Sequence, residues 1–416
     1  MIGSALLDLR PVREAAAFRR LWLGTTASAF GGQMSAYAVL FYVWERTHSP
    51  AMVGVAGLAT AAPLIVFALL GSAFADHVDR RTLLLWTTWA QVVVAAAMAA
   101  LAAVGGGAWP LLGLVAASSG LSAITGPARR ALVPALLPHS RLAAGLALNH
   151  LSFQAAMLLG PVVAGVVTAM GGVEVCFAVD AVSFVAALWG IAGLPARQRT
   201  AVPTGNRGLR AVVEGVRLTV RVPAIGGALL TDLAATVLAM PIALFPVLNE
   251  EKFDGDPQTL GWLLAAVAVG GVAASALSGV ITRRDSAGRV LLACAATWGV
   301  ALAGVALTDQ LVVVLGLLAS AGAADTWSVV SRGTVVQAET PEEFRGRVAA
   351  LEHVVGAAGP HVGGFRAGLV AGASSGSMAM LVGGVSCVVG VAAIAARCRA
   401  LRTFRVRHEE PEPARV

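Results

Sequence analysis

Three ionisable side chains lie far inside long apolar stretches of the sequence, where they could bind a proton or a charged substrate. They are Asp232, Asp325 and Arg366, and most of their neighbours along the chain are small or aliphatic. A charged group inside a membrane is costly, so it usually faces a partner or a water-filled cavity. A carboxylate in such a place can bind a proton and a substrate alternately. The sequence therefore predicts a polar centre in which Asp232 or Asp325 carries a proton.

Each of these three residues also has a structural interpretation. Asp232 could join two helices, and Asp325 lies seven residues before Arg332, two turns along the same helical face. Arg366 needs an anion, which could be an acidic group of a substrate, Asp232 or Asp325. Other ionisable residues in apolar segments are Asp180, which we expect to be structural, and His150, Glu352, His353 and His361.

Motifs of enzymes and of nucleotide binding are absent from the sequence. It has no Walker loop, no His/Cys spacing typical of a metal site and no nucleophile elbow. The four cysteines show no paired spacing. We therefore expect no catalytic residue, no metal and no cofactor, and an ion gradient, most simply of protons, in place of ATP.

A short polar turn, residues 72–84, separates two long apolar runs. It contains an acid followed by two arginines. By contrast, residues 49–75 before these charges and residues 82–128 after them carry no charged side chain. An imperfect repeat of the turn follows 207 residues later, at 279–292. A charged turn that recurs once, at half the chain length, indicates two copies of one membrane unit.

Composition identifies an integral membrane protein. The chain has 416 residues, of which 57% are hydrophobic and only 13% are charged, against about 25% charged in soluble domains. At roughly 20 residues a span, the apolar runs predict an all-α protein with twelve transmembrane helices. The expected spans are 21–43, 51–74, 83–104, 110–128, 142–170, 174–194, 223–248, 258–281, 290–307, 311–332, 348–371 and 377–396.

Basic residues test this topology independently. If both termini are cytoplasmic, all of the 30 Lys and Arg residues fall on the cytoplasmic side except Arg46, Lys252 and Arg366. The positive-inside rule predicts such asymmetry. The net charge of +7 therefore reflects orientation in a membrane, and we expect no nucleic-acid partner.

The repeat divides the chain into two parallel six-helix halves, 1–194 and 223–396. Between them lies a cytoplasmic linker, 195–222, and the tail 397–416 follows. Charges at a 3-4-3-4 spacing in the second part of the linker predict an amphipathic helix at the membrane surface. Two halves that enter from the same side suit a pseudo-two-fold axis along the membrane normal.

The polar turn resembles the signature loop of the major facilitator superfamily, Gly-x-Leu-Ala-Asp-Arg-x-Gly-Arg-Arg. Asp76, Arg80 and Arg81 fill its charged positions, and Ser72 stands where the pattern begins with glycine. Asp79 replaces the second glycine, as is common in the branch of the enterobactin exporter and the macrolide efflux pumps. The resemblance runs from about residue 18 to 396, and further segments that carry it are 47–50, 126–134, 149–153 and 340–347.

This resemblance implies that Ser72, Asp76, Arg80 and Arg81 form a gating motif that contacts the start of helix 11. A carboxylate facing a helix N-terminus contributes roughly 0.3–1 kcal/mol when exposed. A contact made in only one state biases an equilibrium between two states. The alternative is that the turn only anchors the chain at the membrane surface.

A second resemblance lies in the fifth helix. Gly160, Pro161 and Gly165 partly match the helix 5 motif typical of exporters, and 359–364 echoes it. Small residues let helices approach closely, and proline permits a bend. One expected feature is missing, because residues 111–128 lack the helix 4 arginine of many proton-coupled exporters.

In this superfamily, helices 1, 4, 7 and 10 line the central cavity, which favours Asp232 and Asp325 as coupling residues. Gln33, Gln154, Ser119 and Trp327 could contact a substrate there, and equally they could tie helices together. The sequence leaves both interpretations open.

We therefore expect a secondary active transporter of the bacterial inner membrane, with both termini cytoplasmic. It would export a siderophore or an antibiotic-like molecule by proton antiport, as a monomer whose partners are the bilayer and a small-molecule substrate. One alternative is an importer on the same fold. Another is a non-transporting membrane protein, such as a scaffold that binds a partner or a lipid scramblase. Such a protein would need no protonatable residue in a cavity.

Overall fold

The computed structural model describes residues 8–70, 80–194, 209–277 and 286–405. Within these ranges the chain is helical and contains no strand, and twelve helices are long enough to cross the ~30 Å apolar core of a bilayer. They are α1 Ala16–Thr47, α2 Pro50–Leu70, α3 Arg80–Ala103, α4 Ala108–Leu136, α5 His139–Gly171, α6 Val173–Ala192, α7 Pro223–Phe253, α8 Pro257–Ala276, α9 Ala287–Ala306, α10 Leu311–Glu339, α11 Arg345–Ala373 and α12 Gly376–Arg397.

Ten of these helices are apolar enough to cross a membrane by length and composition. The two exceptions, α1 and α11, are 32 and 29 residues long. Both carry more polar and charged side chains than the others, which lowers their mean hydropathy. The twelve-helix, all-α architecture predicted from the apolar runs is thus present.

Helix α7 is broken near the middle of its span. Its first part, Pro223–Leu238, ends before Pro241, and a short 3-10 turn leads into Phe245–Phe253. Proline cannot donate the backbone hydrogen bond that a continuous helix needs there. The break leaves carbonyl groups at the end of the first part without helical partners.

Close packing between helices depends on glycine. A Cβ atom added to Gly24 of α1 would lie 2.7 Å from the carbonyl oxygen of Ala186 in α6, and one on Gly190 would lie 2.7 Å from that of Arg20. Only a residue without a side chain permits such backbone contact. Helices α1 and α6 are therefore held together over several turns.

The chain enters and leaves the helical bundle on one side, which also holds the linker; we call it the linker side. On the opposite side, α2 packs against α11, and α5 packs against α8. A Cβ on Gly54 would lie 2.8 Å from the Cα of Phe365, and one on Gly261 would lie 2.6 Å from the carbonyl oxygen of Pro161. Gly54 and Gly261 are positions that the sequence repeat relates, and both make the same kind of contact.

The described end of the linker forms the helix Leu209–Arg221, which we call the linker helix. It lies against the start of α11, where Glu214 Oε2 is 2.8 Å from Arg347 Nε. A Cβ on Gly215 would lie 2.7 Å from the carbonyl oxygen of Arg347. A helix is therefore present where the sequence predicts an amphipathic one, and it packs on the start of α11.

Two adjacent charges in the last turn of α7 cap the ends of two other helices on the side opposite the linker. Lys252 Nζ donates to the carbonyl oxygens of Val305, Ala306 and Thr308 at the end of α9. Glu251 accepts from the backbone N–H of Gly376 at the start of α12, at 2.6 Å. Each charge has the sign that the helix dipole favours, which explains why the only lysine of the chain lies on this side.

Replacing Lys252 with methionine should lower the melting temperature of the purified protein. The change keeps the apolar stem and removes hydrogen bonds from a charged donor, each worth about 1.5–3 kcal/mol. Glu250→Gln changes a neighbouring exposed charge and serves as the control. Equal melting temperatures for wild type and Lys252→Met would contradict the assigned cap.

Candidate functional site

A buried cluster of charges joins α7, α10 and α11. Arg332 of α10 forms an ion pair with Asp232 of α7 through Nη1 and Oδ1. Its Nε lies 3.8 Å from Glu352 Oε1 of α11. Sequence reasoning paired Arg332 with Asp325 of its own helix, whereas the structure turns the guanidinium towards the two neighbouring helices.

Two buried atoms of this cluster have no hydrogen-bond partner among the described residues. They are Asp232 Oδ2 and Arg332 Nε, and Asp232 is only 8% exposed. The 3.8 Å separation from Glu352 is an ion-pair distance and too long for a hydrogen bond. The cluster can therefore still accept a proton or a hydrogen-bond donor at Asp232.

Asp325 lies near the same cluster and is exposed. It lies two turns from Arg332 on the same face of α10. Asp232 and Arg332 are the charges that act on it electrostatically. Three carboxyl groups thus interact electrostatically with one guanidinium, so full ionisation would leave this region with an excess of negative charge.

Arg366 has different partners from the ones expected. Its Nε donates to the carbonyl oxygen of Val237 at 3.0 Å, and its Nη2 donates to that of Leu238. Trp298 Nε1 donates to the carbonyl oxygen of Ala239 at the same helix end. The predicted anionic partner is thus replaced by the partial negative charge of carbonyls exposed at the break in α7.

Arg366→Met should destabilise the protein, because two carbonyl oxygens at the break would lose a charged donor, at about 1.5–3 kcal/mol each. Trp298→Phe removes one neutral donor from the same break and should cost about 1 kcal/mol. Thermal melting of both variants in detergent compares the two losses. An Arg366→Met protein that melts like wild type would rule out the capping role.

The predicted substrate-contacting residues lie in different surroundings. Ser119 is buried and donates to the carbonyl oxygen of Thr60, tying α4 to α2. Trp327 donates to the carbonyl oxygen of Ala274 in α8 and packs beside α9. Gln33 and Gln154 are half-buried on α1 and α5. Ser119 and Trp327 thus join helices, while the two glutamines are the polar groups of this set nearer to open space.

The helix 5 motif lies at contacts with other helices. A Cβ atom added to Gly160 would lie 2.6 Å from the Cβ atom of Gln33 in α1. A Cβ atom added to Gly165 would lie 2.7 Å from the carbonyl oxygen of Pro257 in α8. The Pro161 carbonyl meets Gly261 of α8. Helix α5 therefore uses these residues for close approach to α1 and α8.

Most of the predicted gating motif, including Ser72 and Asp76, lies outside the described residues. Arg80 begins α3, and its side chain also lies outside them. Arg81 Nη2 donates to the carbonyl oxygen of Ala192 at the end of α6, at 2.8 Å. This contact ties the start of α3 to the end of α6 on the linker side, and the gating role stays a prediction.

Asp180 is a second buried carboxyl group, located between α6 and α1. It is 5% exposed and accepts from the hydroxyls of Ser183 and Ser35. A Cβ on Gly31 would lie 2.8 Å from its Oδ1. No cation among the described residues pairs with it, and it has no link to the Asp232 cluster.

Sequence reasoning missed two features. Arg332, at the centre of the charge cluster, appeared only as a partner of Asp325, and Glu352 was one of several ionisable residues on α11. The hydrogen bonds of Gln91 on α3 to Ser118 and Ser122 on α4 also went unnoticed. In both cases the partners lie on different helices, and only three-dimensional proximity reveals them.

The fold and the site together define a class of protein. Twelve membrane-spanning helices surround buried charges at the centre of the bundle, and no group of three or more His, Cys, Asp or Glu side chains in the described ranges is arranged to hold a metal ion. This is the architecture of a membrane transporter of the major facilitator type.

More particularly, the chain belongs to the transmembrane secretion effector family of the major facilitator superfamily, whose model matches residues 8–413. It is 28% identical over 355 residues to the multidrug efflux pump Tap of Mycolicibacterium fortuitum, covering 82% of this chain and 85% of that protein. It is 26% identical over 395 residues to the enterobactin exporter EntS of Shigella boydii, covering 92% and 93%.

Solved transporter structures share the fold. A bacterial homologue of the iron transporter ferroportin, in an inward-facing state, superposes with a TM-score of 0.69 at 16% identity and covers 92% of this chain and 99% of its own. The nucleoside transporter NupG gives 0.70 at 13% identity, with 91% and 98% covered. At such low identity the likeness establishes the fold alone.

Proposed function

We propose that this protein exports a small amphipathic molecule across the bacterial inner membrane by proton antiport with alternating access. The observation that carries the proposal is that three carboxyl groups, Asp232, Asp325 and Glu352, interact electrostatically with the one guanidinium of Arg332. Such a set stays near neutrality only if it holds protons or a cation, which is what an exchanging site needs.

Asp325 is the carboxyl group best placed to exchange its proton. Its side chain is exposed and forms no ion pair with a described residue, while Asp232 pairs with Arg332. Removing a proton from the cluster changes its net charge, and that charge is shared between α7, α10 and α11. Protonation thereby biases the arrangement of three helices that alternating access must move.

The contacts between the first six and the last six helices support a state closed on the side opposite the linker. Tyr37 Oη donates to the carbonyl oxygen of Pro257 at 2.6 Å. A Cβ on Gly368 would clash with the carbonyl oxygen of Pro50. Export requires these contacts to separate once substrate is bound, and the Asp76 turn would then close the linker side.

Orientation, partners and direction follow from the same proposal. The concentration of Lys and Arg on the linker side supports cytoplasmic termini. One chain contains all twelve helices, which supports action as a monomer with the lipid bilayer and a small-molecule substrate as its partners. Efflux by Tap and EntS, as their names state, supports export and supports a drug or a siderophore as the substrate.

The test uses proteoliposomes of the purified protein with an imposed pH gradient. We expect a gradient to drive uphill movement of at least one of three probes: ethidium, tetracycline or 2,3-dihydroxybenzoylserine. The proton and the probe should move in opposite directions, which distinguishes an exporter from a symporting importer. Lipid mixing between leaflets without any probe movement would contradict the proposal and favour a scramblase.

A further inference from the structure

Three groups that can donate hydrogen bonds lack an acceptor in the linker-side part of the first six helices. The indole N–H of Trp22 and the hydroxyl of Thr26, one turn apart on α1, are buried and have no hydrogen-bond partner among the described residues. Arg129 of α4 is half-buried and forms neither an ion pair nor a hydrogen bond with a described residue. Removing such donors from water without a new partner is costly. Each of them therefore needs an acceptor that the described residues do not supply.

Helix register brings these donors to the same level of the bundle. Phe18 of α1 and Val133 of α4 belong to one packed apolar cluster, and Trp22 and Leu136 pack beside it. Helix α1 runs away from the linker side and α4 runs towards it. One turn inward from Phe18 is therefore Trp22, and one turn inward from Val133 is Arg129. Arg129 thus lies on the face that α4 turns to α1, at the level of Trp22.

The surroundings of Arg129 do not provide an anion. Helix α4 packs mainly on α2 and α3, so the face that carries Arg129 is its less covered one. The described carboxyl groups before and within the linker-side ends of these helices, Asp8 and Glu14, already pair with Arg10 and Arg141. A guanidinium and an indole N–H can only donate. The partner that satisfies them must therefore be an acceptor, and the positive charge favours an anion.

We infer that Arg129, Trp22 and Thr26 form an anion-binding site that takes the carboxylate of a small organic acid. Arg129 supplies the opposite charge and the planar fork that matches a carboxylate, and the indole N–H and the hydroxyl add two neutral donors. The assignment of this acid as a substrate that enters from the linker side rests on the proposed transport function, whereas binding itself does not. The site belongs to the first six helices and is separate from the charge cluster of α7, α10 and α11.

Thermal melting of the purified protein in detergent tests the site with benzoate and benzamide at constant ionic strength. The two probes have nearly the same shape, and only benzoate is charged. A ligand that binds the folded protein raises its melting temperature, so benzoate should stabilise the wild type and benzamide at the same concentration should not.

Substitutions at the site should change benzoate binding in a graded way. We expect Arg129→Gln to weaken it at least tenfold, and Arg129→Lys, which keeps the charge, to weaken it less. Trp22→Phe removes one neutral donor and should weaken it about fivefold. Arg141→Gln removes a linker-side arginine that already pairs with Glu14, and this control should bind benzoate like wild type.

The melting temperature without ligand separates a binding site from a structural contact. Because Arg129 has no partner among the described residues, Arg129→Gln should melt at or above the wild-type temperature. A lower melting temperature would show that the guanidinium stabilises the fold and would overturn the inference. Equal effects of benzoate and benzamide on the wild type would overturn it as well.

A lipid headgroup is the other source of an anion. If phosphatidylglycerol in mixed micelles stabilises the protein through Arg129 and benzoate does not, the assignment to an organic acid is wrong. Failure of the proposed function looks different: benzoate would bind through Arg129, but no pH gradient would move 2,3-dihydroxybenzoylserine or any other probe across a membrane.

Discussion

Asp232→Asn is expected to destabilise the protein and to abolish gradient-driven transport. The substitution removes the charge that neutralises Arg332, whose remaining partner, Glu352, lies at 3.8 Å. Removing one partner of a buried ion pair typically costs about 3–5 kcal/mol, because the other charge stays buried without compensation. Thermal melting in detergent and probe efflux in proteoliposomes measure the two effects.

A double variant separates stability from function. Asp232→Asn combined with Arg332→Gln removes both charges of the pair, and we expect it to recover most of the lost melting temperature. Transport should stay at least tenfold below wild type, because the cluster has lost the guanidinium around which its carboxyl groups are arranged. Wild-type melting and transport in the Asp232→Asn protein would show that the pair has neither role.

Gly261→Val is expected to reduce transport at least tenfold by preventing closure on the side opposite the linker. The nearest atom to an added Cβ is the carbonyl oxygen of Pro161, at 2.6 Å, and backbone cannot move aside as the end of a side chain can. Gly54→Val, the related position in the repeat, should act in the same way. Export rates in proteoliposomes provide the measurement.

Gly316→Val is the matched control for this experiment. Gly316 lies on α10, and apart from the adjoining backbone of α10 no described atom lies within 4 Å of the Cβ that a substitution would add. The control carries the same loss of helical glycine and the same gain in volume, and should transport like wild type. If Gly261→Val and Gly54→Val also transport like wild type, close approach at these positions is not needed.

Much of the fold could be predicted from the sequence, because membrane helices are governed by local composition. The predicted span 258–281 and the helix Pro257–Ala276 begin within a residue of each other. The break in α7 was missed, since Pro241 lies within an apolar run whose hydropathy is unaffected. Helix α1 begins at Ala16, before the predicted 21, because arginine is a good helix former outside the membrane core.

The candidate site was harder to predict than the fold. Asp232 and Asp325 stood out because an acid in an apolar run is costly and needs a reason. Their charged partners, Arg332 and Glu352, could not be recognised in the same way. Both lie near helix ends, where charged residues are common. Arg366 was assigned an anion because no sequence signal indicates that a helix ends beside it. Interhelical contacts decide such roles.

The most direct test of proton coupling compares two transport modes of Asp325→Asn in proteoliposomes. One mode is ethidium accumulation driven by an imposed pH gradient, and the other is exchange of ethidium across the membrane at equal pH and at saturating concentration. We predict that Asp325→Asn loses accumulation and keeps at least a third of wild-type exchange, because a fixed neutral side chain cannot release a proton but leaves the path between states open. Accumulation that persists at the wild-type level in Asp325→Asn would contradict the assignment of this carboxyl group as the site of proton exchange.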